Sequence, residues 1–346
     1  MSGVLSLDVE YRAPGQLPAR DHPWWHGVLG MTRFTATAID AGSLPGPVAQ
    51  VPLTPMQDES VLCEIWRATG PMQSGNLGSV HFRFSGQLLF GCLAIGDAGD
   101  GSQALGAATT QAYGDIFRVL DATGFRQLVR IWNYVADINA PLADGERYWQ
   151  FNSARHDSFL ARRQLIDETV PAASALGTPA GSPVIIYFLA SATPMRTIEN
   201  PRQVSAFRYP RQYGPRSPTF SRAALLTGEA DYPLLVSGTA SIVGHETLHV
   251  DDVGAQTRET LANISALVTE ANLLTGRRQF DLERLSYKAY VRRPADVAIV
   301  AAQMRSTIGA TLKVVFLQAD ICRRDLLVEI EAVGNPRACA TSVGSE

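Results

Sequence analysis

Apolar positions along this chain follow two periods, every second residue and every third or fourth, and the two take turns. Tyr113, Ile116, Phe117, Val119 and Leu120 share one helical face, because positions three and four apart lie above one another on an α-helix. The spacing predicts a helix there, after a small, flexible Gly/Ala/Ser/Thr stretch over 101–111 and before Gly124, a residue suited to a left-handed helix cap. Leu128–Asp137 is rich in β-branched and aromatic side chains and predicts a strand, as does Ser85–Phe90 upstream. The second half repeats this order. Val236–Val243 reads as a strand, Leu261, Ile264, Leu267 and Val268 mark a helix, and Leu285–Val291 reads as the next strand. Val297, Ile299, Val300 and Met304 mark a further helix, followed by strands over Leu312–Leu317 and Leu326–Ala332. Val184–Ala190, the longest apolar run, predicts a buried strand and falls far short of the ~20 residues of a membrane helix.

Ser85-Gly86 precedes Ser237-Gly238 by 152 positions, and Tyr134-Val135 precedes Tyr290-Val291 by 156, so the halves keep register to within a few residues. The expected fold class is α+β: two tandem α/β sandwich units, each a mixed sheet with helices packed on one face. The Ala/Gly/Pro/Ser-rich segment 172–183 reads as a linker or surface loop. It divides the chain into an N-terminal unit over 1–175 and a C-terminal unit over 176–346.

Composition narrows the partners. With 346 residues, 46% of them hydrophobic, sizeable cores are expected; a formal charge of -3 and a pI near 6.1 give no general attraction to nucleic acid or an anionic membrane. A small-molecule partner is favoured. Cys63, Cys92, Cys322 and Cys339 are far apart and form no CxxC, which fits reduced thiols in a cytoplasmic protein, and Met1–Arg12 has no signal-peptide pattern. Only Lys288 and Lys313 among the 30 basic residues are lysines. A GC-rich genome accounts for that bias, but Arg is also the side chain whose planar fork matches a carboxylate.

Four constellations could carry chemistry. Residues 193–222 hold Arg196, Arg202, Arg208, Arg211, Arg216 and Arg222 with Tyr209, Tyr213 and five prolines, predicting a stiff loop without regular structure that grips anions or simply sits in solvent. Glu146–His156 offers Arg147, Tyr148 and Arg155 as further carboxylate ligands. On the last strand Glu329 and Glu331 have the same parity and share a face; burial would raise the pKa of one and make it a proton donor near neutral pH. His245-Glu246-Thr-Leu-His249 matches the zinc-protease pattern, which needs both histidines on one helix face, but it occupies the turn between a strand and a helix and lacks an obvious third ligand. With no P-loop, GxGxxG, GxSxG or paired Cys site, neither a cofactor nor a metal is expected.

Ser237–Gly244, Gln256–Ile264 and Leu327–Ala332 resemble the motif succession of the reactive-intermediate deaminases, small α+β sandwiches. From about residue 60 onward, Arg130–Asn139, the Glu146-Arg-Tyr patch and Arg208–Arg216 extend this to a resemblance to the chorismatases, which carry that fold in duplicate. The resemblance implies a substrate, chorismate, with two carboxylates. It also implies roles: Arg155 and Arg211 gripping carboxylates, Tyr148 and Tyr213 assisting, and Glu329 protonating the enol-ether methylene carbon so that pyruvate leaves, with Glu331 as its neighbour. Family members that release 3-hydroxybenzoate resemble this chain in having Cys at 322 but tend to have Gly where Ala240 stands, so 3-hydroxybenzoate is the expected product, with 4-hydroxybenzoate as a by-product. The alternatives are hydrolysis to a dihydroxycyclohexadiene carboxylate and a zinc hydrolase built on the HETLH segment. A monomer is expected.

Overall fold

The computed structural model describes residues 7–36, 44–57, 60–96, 102–143, 145–162, 169–226 and 233–335, so Cys339 lies outside the described residues. Three sheets meet at one core. The first comes from a region in which the sequence reading predicts no elements: β1 (Leu7–Arg12), β2 (Val28–Thr35), β3 (Val48–Val51) and β4 (Val61–Ala68), ordered β1-β4-β2-β3. Strands β2 and β4 are buried on both faces, so their sequences do not alternate cleanly.

The next stretch runs β5 (Met72–Leu77), β6 (Val80–Ser85), β7 (Leu88–Ile95), α1 (Ser102–Thr123) and β8 (Gln127–Ala136). A short ladder of β9 (Pro141–Leu142) and β10 (Gly145–Glu146) leads into α2 (Arg147–Ala161), β11 (Ala172–Thr178) and β12 (Val184–Ser191). The last stretch runs β13 (Met195–Ile198), β14 (Ala223–Leu226), β15 (Leu234–Thr239), a small hairpin of β16 (Ile242–Val243) and β17 (Glu246–Thr247), and α3 (Val253–Thr275). It ends with β18 (Leu285–Val291), α4 (Val297–Ile308), β19 (Lys313–Gln318), β20 (Asp320–Ile321) and β21 (Val328–Gly334).

The two large sheets are the same design. One is ordered β11-β8-β12-β7-β6-β5 and the other β19-β18-β21-β15-β14-β13, each with one parallel pair, β8 with β11 and β18 with β19. The expected tandem α+β sandwiches are therefore what the chain forms. Helices α1 and α2 cover the outer face of the first sheet through Tyr113, Ile116, Phe151 and Phe159; α3 covers the second through Leu261, Ile264 and Leu267, and α4 through Val300 and Met304. The inner faces meet each other and the N-terminal sheet in a core that includes Phe34, Trp66, Phe90, Trp132, Tyr187 and Tyr290. Tyr134 and Tyr290, the pair 156 apart, occupy equivalent strands, and their hydroxyls lie 3.0 Å apart. Strand β20 crosses over to pair with β11 as the seventh strand of the first sheet, knitting the halves together.

Several expectations need correction. Segment 172–183 is no linker: β11 is buried and β12 follows in the same sheet, so the change of sheet falls after Ser191 rather than at 175. Its small residues are there for contact, since Ala173 N donates to Ser237 Oγ at 2.9 Å and a Cβ on Gly177 would lie 2.6 Å from Asp320 Cβ. The small residues after 101 belong to α1, whose Leu105, Ala108 and Ala112 pack on the sheet. Segment 193–222 is not wholly irregular, because β13 pairs with β14 as an edge strand between Pro194 and Pro201, where proline is tolerated. Ser85-Gly86 is not the counterpart of Ser237-Gly238: Gly86 turns between β6 and β7 with φ 55°, whereas Gly238 lies within β15. Gly124, with φ 79°, ends α1 as predicted. Among the described residues no helix is long and apolar enough to cross a membrane.

Candidate functional site

The last strand projects Glu329 and Glu331 to the inner face, opposite Tyr290 and Lys288 of β18. Both are buried, at 4% and 5% exposure, so solvent does not hold their charges. Their surroundings then divide them. Glu331 accepts from Lys288 Nζ at 2.7 Å, Arg130 Nη2 at 2.7 Å, Trp132 Nε1 at 2.8 Å and Ser174 Oγ at 2.8 Å. Burial pushes its carboxyl up, but the Lys288 and Arg130 cations outweigh it and hold Glu331 below the usual carboxylate range. Glu329 has no such cradle. Burial, then the Glu331 charge, push it up to about 8 against the opposing pull of Arg130. One strand thus carries a carboxylate and, at neutral pH, a carboxylic acid.

Glycine decides where that acid sits. The ladder between β15 and β21 slips between Val236 and Thr239, a bulge that brings Gly238 against the Glu329 carboxyl. A Cβ on Gly238 would lie 1.9 Å from Glu329 Oε1 and 2.9 Å from Ser174 Oγ. Ser174 Oγ also accepts from Gly238 N at 2.9 Å, which links the bulge to the carboxylate network.

Glu329 and Gly238 line a cavity of about 40 Å³ whose other walls include Tyr148, Tyr209, Tyr213, Arg222, Cys322 and Arg323. Five parts of the chain converge there: α2, the Arg/Pro loop, β15 with the residues that follow it, the turn after β20, and β21. Arg222 Nη2 donates to Tyr209 Oη and Val204 O, both at 2.8 Å, while its Nε has no partner among the described residues. Arg323 lies 3.9 Å over the Tyr213 ring and donates from Nη1 to His245 O at 2.9 Å, leaving Nη2 without a partner among the described residues. Buried guanidinium donors of this kind suit an anionic guest. Tyr213 and Arg323 also border an outer cleft of about 430 Å³ beside Glu146, Trp149 and Arg324. Burial pushes the Cys322 thiol up to about 12, reinforced by Glu329 and opposed by Arg323, so it is a neutral thiol at pH 7.

The structure brings together Glu329, Cys322, Tyr148, Tyr213 and Ala240, with Glu331 immediately behind. It does not bring in the other three. Arg155 is buried beneath the Tyr113 and Phe159 rings, with Nε and Nη2 lacking partners among the described residues. Arg147 donates from Nε to Ala136 O at 2.8 Å, and Arg211 is exposed in a 3-10 turn. Arg222 and Tyr209 belong to the Arg/Pro loop that the sequence singles out, without an individual role there, while Arg323 and Gly238 line the cavity with no role assigned from the sequence. The heptad-like spacing of Tyr148, Phe151, Asn152, Arg155 and Phe159 would have revealed α2, but nothing local marks Arg323.

The HETLH segment is a hairpin rather than a helix: Gly244 and His249 both have φ 59°, His245 Nδ1 meets Tyr213 Oη at 3.2 Å, and His249 Nε2 meets Glu259 at 3.2 Å. The shared helical face required by the zinc-protease pattern is therefore missing.

The family described as "Chorismatase FkbO/Hyg5-like, N-terminal" matches residues 64–190. A chorismatase of Streptomyces rapamycinicus is 39% identical over 83% of this chain and 86% of its own length, and a 3-hydroxybenzoate synthase of Streptomyces hygroscopicus is 35% identical over 78% and 80%. A chorismatase crystal structure superposes with a TM-score of 0.85 at 30% identity, covering 96% of this chain and 99% of that one. With its duplicated sandwich and full-length relatives of this kind, the chain belongs to the chorismatase family.

Proposed function

We propose that this protein converts chorismate to 3-hydroxybenzoate and pyruvate, with Glu329 as the proton donor. The observation that carries this reading is a buried acid, protonated at neutral pH, in the wall of a cavity that it shares with two arginines with spare donors. The similarity to a 3-hydroxybenzoate synthase supports the product. Glu329 protonates the methylene carbon of the enolpyruvyl ether, converting the ether carbon into an oxocarbenium ion. Arg222 and Arg323 hold the two carboxylates, with Tyr148, Tyr209 and Tyr213 as phenol donors. The atoms of chorismate divide without remainder between 3-hydroxybenzoic and pyruvic acids, so neither water nor an oxidant is consumed, and the proton spent by Glu329 is recovered when the ring aromatises. A general acid of this kind contributes about two to four powers of ten in rate.

A cavity of about 40 Å³ is well below the ~300 Å³ typical of ligand sites, so substrate admission needs the Tyr213–Arg323 wall to move toward the outer cleft. Arg155, packed against the Tyr113 and Phe159 rings, and exposed Arg211 do not line this cavity, so on this reading neither grips a carboxylate there.

Ala240 favours a second reading, hydrolysis to the dihydroxycyclohexadiene carboxylate, which consumes one water. Its methyl group packs in the same cluster as Cys322 and narrows the wall where the ring would lie. Chromatography of the products from chorismate, with pyruvate followed by a coupled assay, separates the two: 3-hydroxybenzoate as the main aromatic product is expected, and no pyruvate above background overturns both. The two faces that a duplicated fold buries within one chain support a monomer, and free Cys63, Cys92 and Cys322 support a cytoplasmic location; sedimentation and cell fractionation test these.

A further inference from the structure

The Glu331 network does not stop at the two sandwiches. Lys288, which is 1% exposed, also pairs with Glu64 of β4 in the N-terminal sheet. Glu64, fully buried, accepts in addition from Trp66 Nε1 at 2.9 Å, Tyr187 Oη at 3.0 Å and Tyr11 Oη at 3.2 Å. Lys288 Nζ lies 3.0 Å from Tyr187 Oη as well. Five charged or ionisable groups thus lie in one water-poor layer: Arg130, Lys288, Glu64, Glu331 and Glu329. Two cations match two carboxylates and leave Glu329 over.

The groups facing Glu329 come from every neighbouring element. They are Glu331 on its own strand, Tyr290 on β18, Arg130 on β8, Tyr148 on α2, Cys322 and Arg323 after β20, and Tyr209, Tyr213 and Arg222 on the loop, while Lys288 stands two residues along β18, opposite Glu331. Arg222 and Arg323 face the cavity, where a doubly anionic substrate meets them. Arg130 acts on Glu329 directly and Lys288 lies beyond Glu331, and how much of their positive charge is left over for Glu329 depends on what else they neutralise.

We propose that Glu64 is a positioning residue for Glu329: by engaging Lys288 it closes the charge balance of the buried layer and leaves Glu329 the one acid without a cation of its own. This rests on Glu329 being the proton donor, and gives the N-terminal sheet a part in the chemistry, although Glu64 stands 265 positions before Glu329 in the chain and does not line the cavity. Removing the Glu64 charge leaves the layer with one surplus positive charge. That surplus favours ionised Glu329, which cannot donate.

The test is the pH profile of kcat/KM for pyruvate release in four proteins: the parent, Glu64→Gln, Glu64→Asp and the double variant Glu64→Gln/Lys288→Met. The alkaline limb of Glu64→Gln is expected to fall by on the order of one pH unit, the size expected of a unit charge ~10 Å away through an interior of effective dielectric ~20. Glu64→Asp keeps the charge and keeps the limb. The double variant removes both charges and restores the limb to the parent position. A Glu64→Gln profile lowered equally at all pH values, with its limb unmoved, overturns the inference and leaves Glu64 a packing residue; so does a double variant that stays shifted. Should Glu64→Gln be too unstable to assay, Glu64→Ser leaves the same surplus charge and is judged by the same limb. Absence of pyruvate release from the parent itself strikes instead at the proposed reaction.

Discussion

The two sandwiches share a strand order but have opposite contents where they face each other. Tyr134 of β8 and Tyr290 of β18 are equivalent; Tyr134 pairs across the sheet with Ile185, and Tyr290 with Glu329. Two residues along, Trp132 faces Tyr187 where Lys288 faces Glu331. The first unit fills these positions with apolar and aromatic side chains, and the second places two acids and a lysine there. A buried carboxylate is tolerated only where cations and donors meet it, and the first unit supplies one of them, Arg130, across the seam. Among the described residues the equivalent strand positions therefore do not carry equivalent chemistry. The second unit carries the acids, and the first holds a counter-charge.

Glu329→Gln breaks the comparison most directly. It should keep the fold, because the amide mimics the neutral acid, while lowering pyruvate release by about 10² to 10⁴-fold; the matching change in the first unit, Ile185→Val, should cost about 0.5–1.5 kcal/mol of stability in denaturant titrations and leave kcat/KM unchanged. Next in size is Gly238→Ala. Its Cβ needs the space of the Glu329 carboxyl, and displacing a reacting group by about 1 Å costs on the order of 10²-fold in kcat.

A rise in pH has the third-largest effect. With Glu329 as the proposed donor, which must be protonated to donate, kcat/KM should fall as pH rises through about 8. The same shift bears on stability: the folded value is raised above the unfolded one, so the contribution is complete below the unfolded value near 4.5 and is lost as pH rises through about 8. Glu331 has the opposite sign, its contribution being lost as pH falls. Between pH 5 and 8 the parent should therefore lose about 3 kcal/mol relative to Glu329→Gln, measured by denaturant unfolding at each pH. The smallest effect belongs to the place where the halves are alike: Tyr134→Phe and Tyr290→Phe should each cost about 1 kcal/mol, and the double variant little more than either, because both remove the same 3.0 Å contact.

Much of this was legible in the residues. The helices around Ile116 and Ile264 follow from their periodicity, and the strand around Tyr134 from its β-branched and aromatic content, because one face of each element is buried and the composition shows it. The parity of Glu329 and Glu331 correctly put both on one face, but parity cannot say which one a cation will meet. Lys288 stood out only as one of two lysines, and Arg323 and Glu64 did not stand out at all, since their partners lie 78 and 224 positions away. Segment 172–183 misled because small residues that permit close backbone approach have the same composition as a loop.

By itself, the sequence determined the fold class, the repeated order of strands and helices, and the family to which the motifs point; these follow from local periodicity and residue type, which the chain carries wherever it folds. The motifs pointed to Glu329 as the donor, but only the tertiary structure supplied the physical cause: burial and the Glu331 charge push Glu329 up, while Lys288 and Arg130 hold Glu331 down. Protonation in a buried layer depends on charge and solvent at distances of a few ångströms, and there strands from both sandwiches and the N-terminal sheet stand side by side.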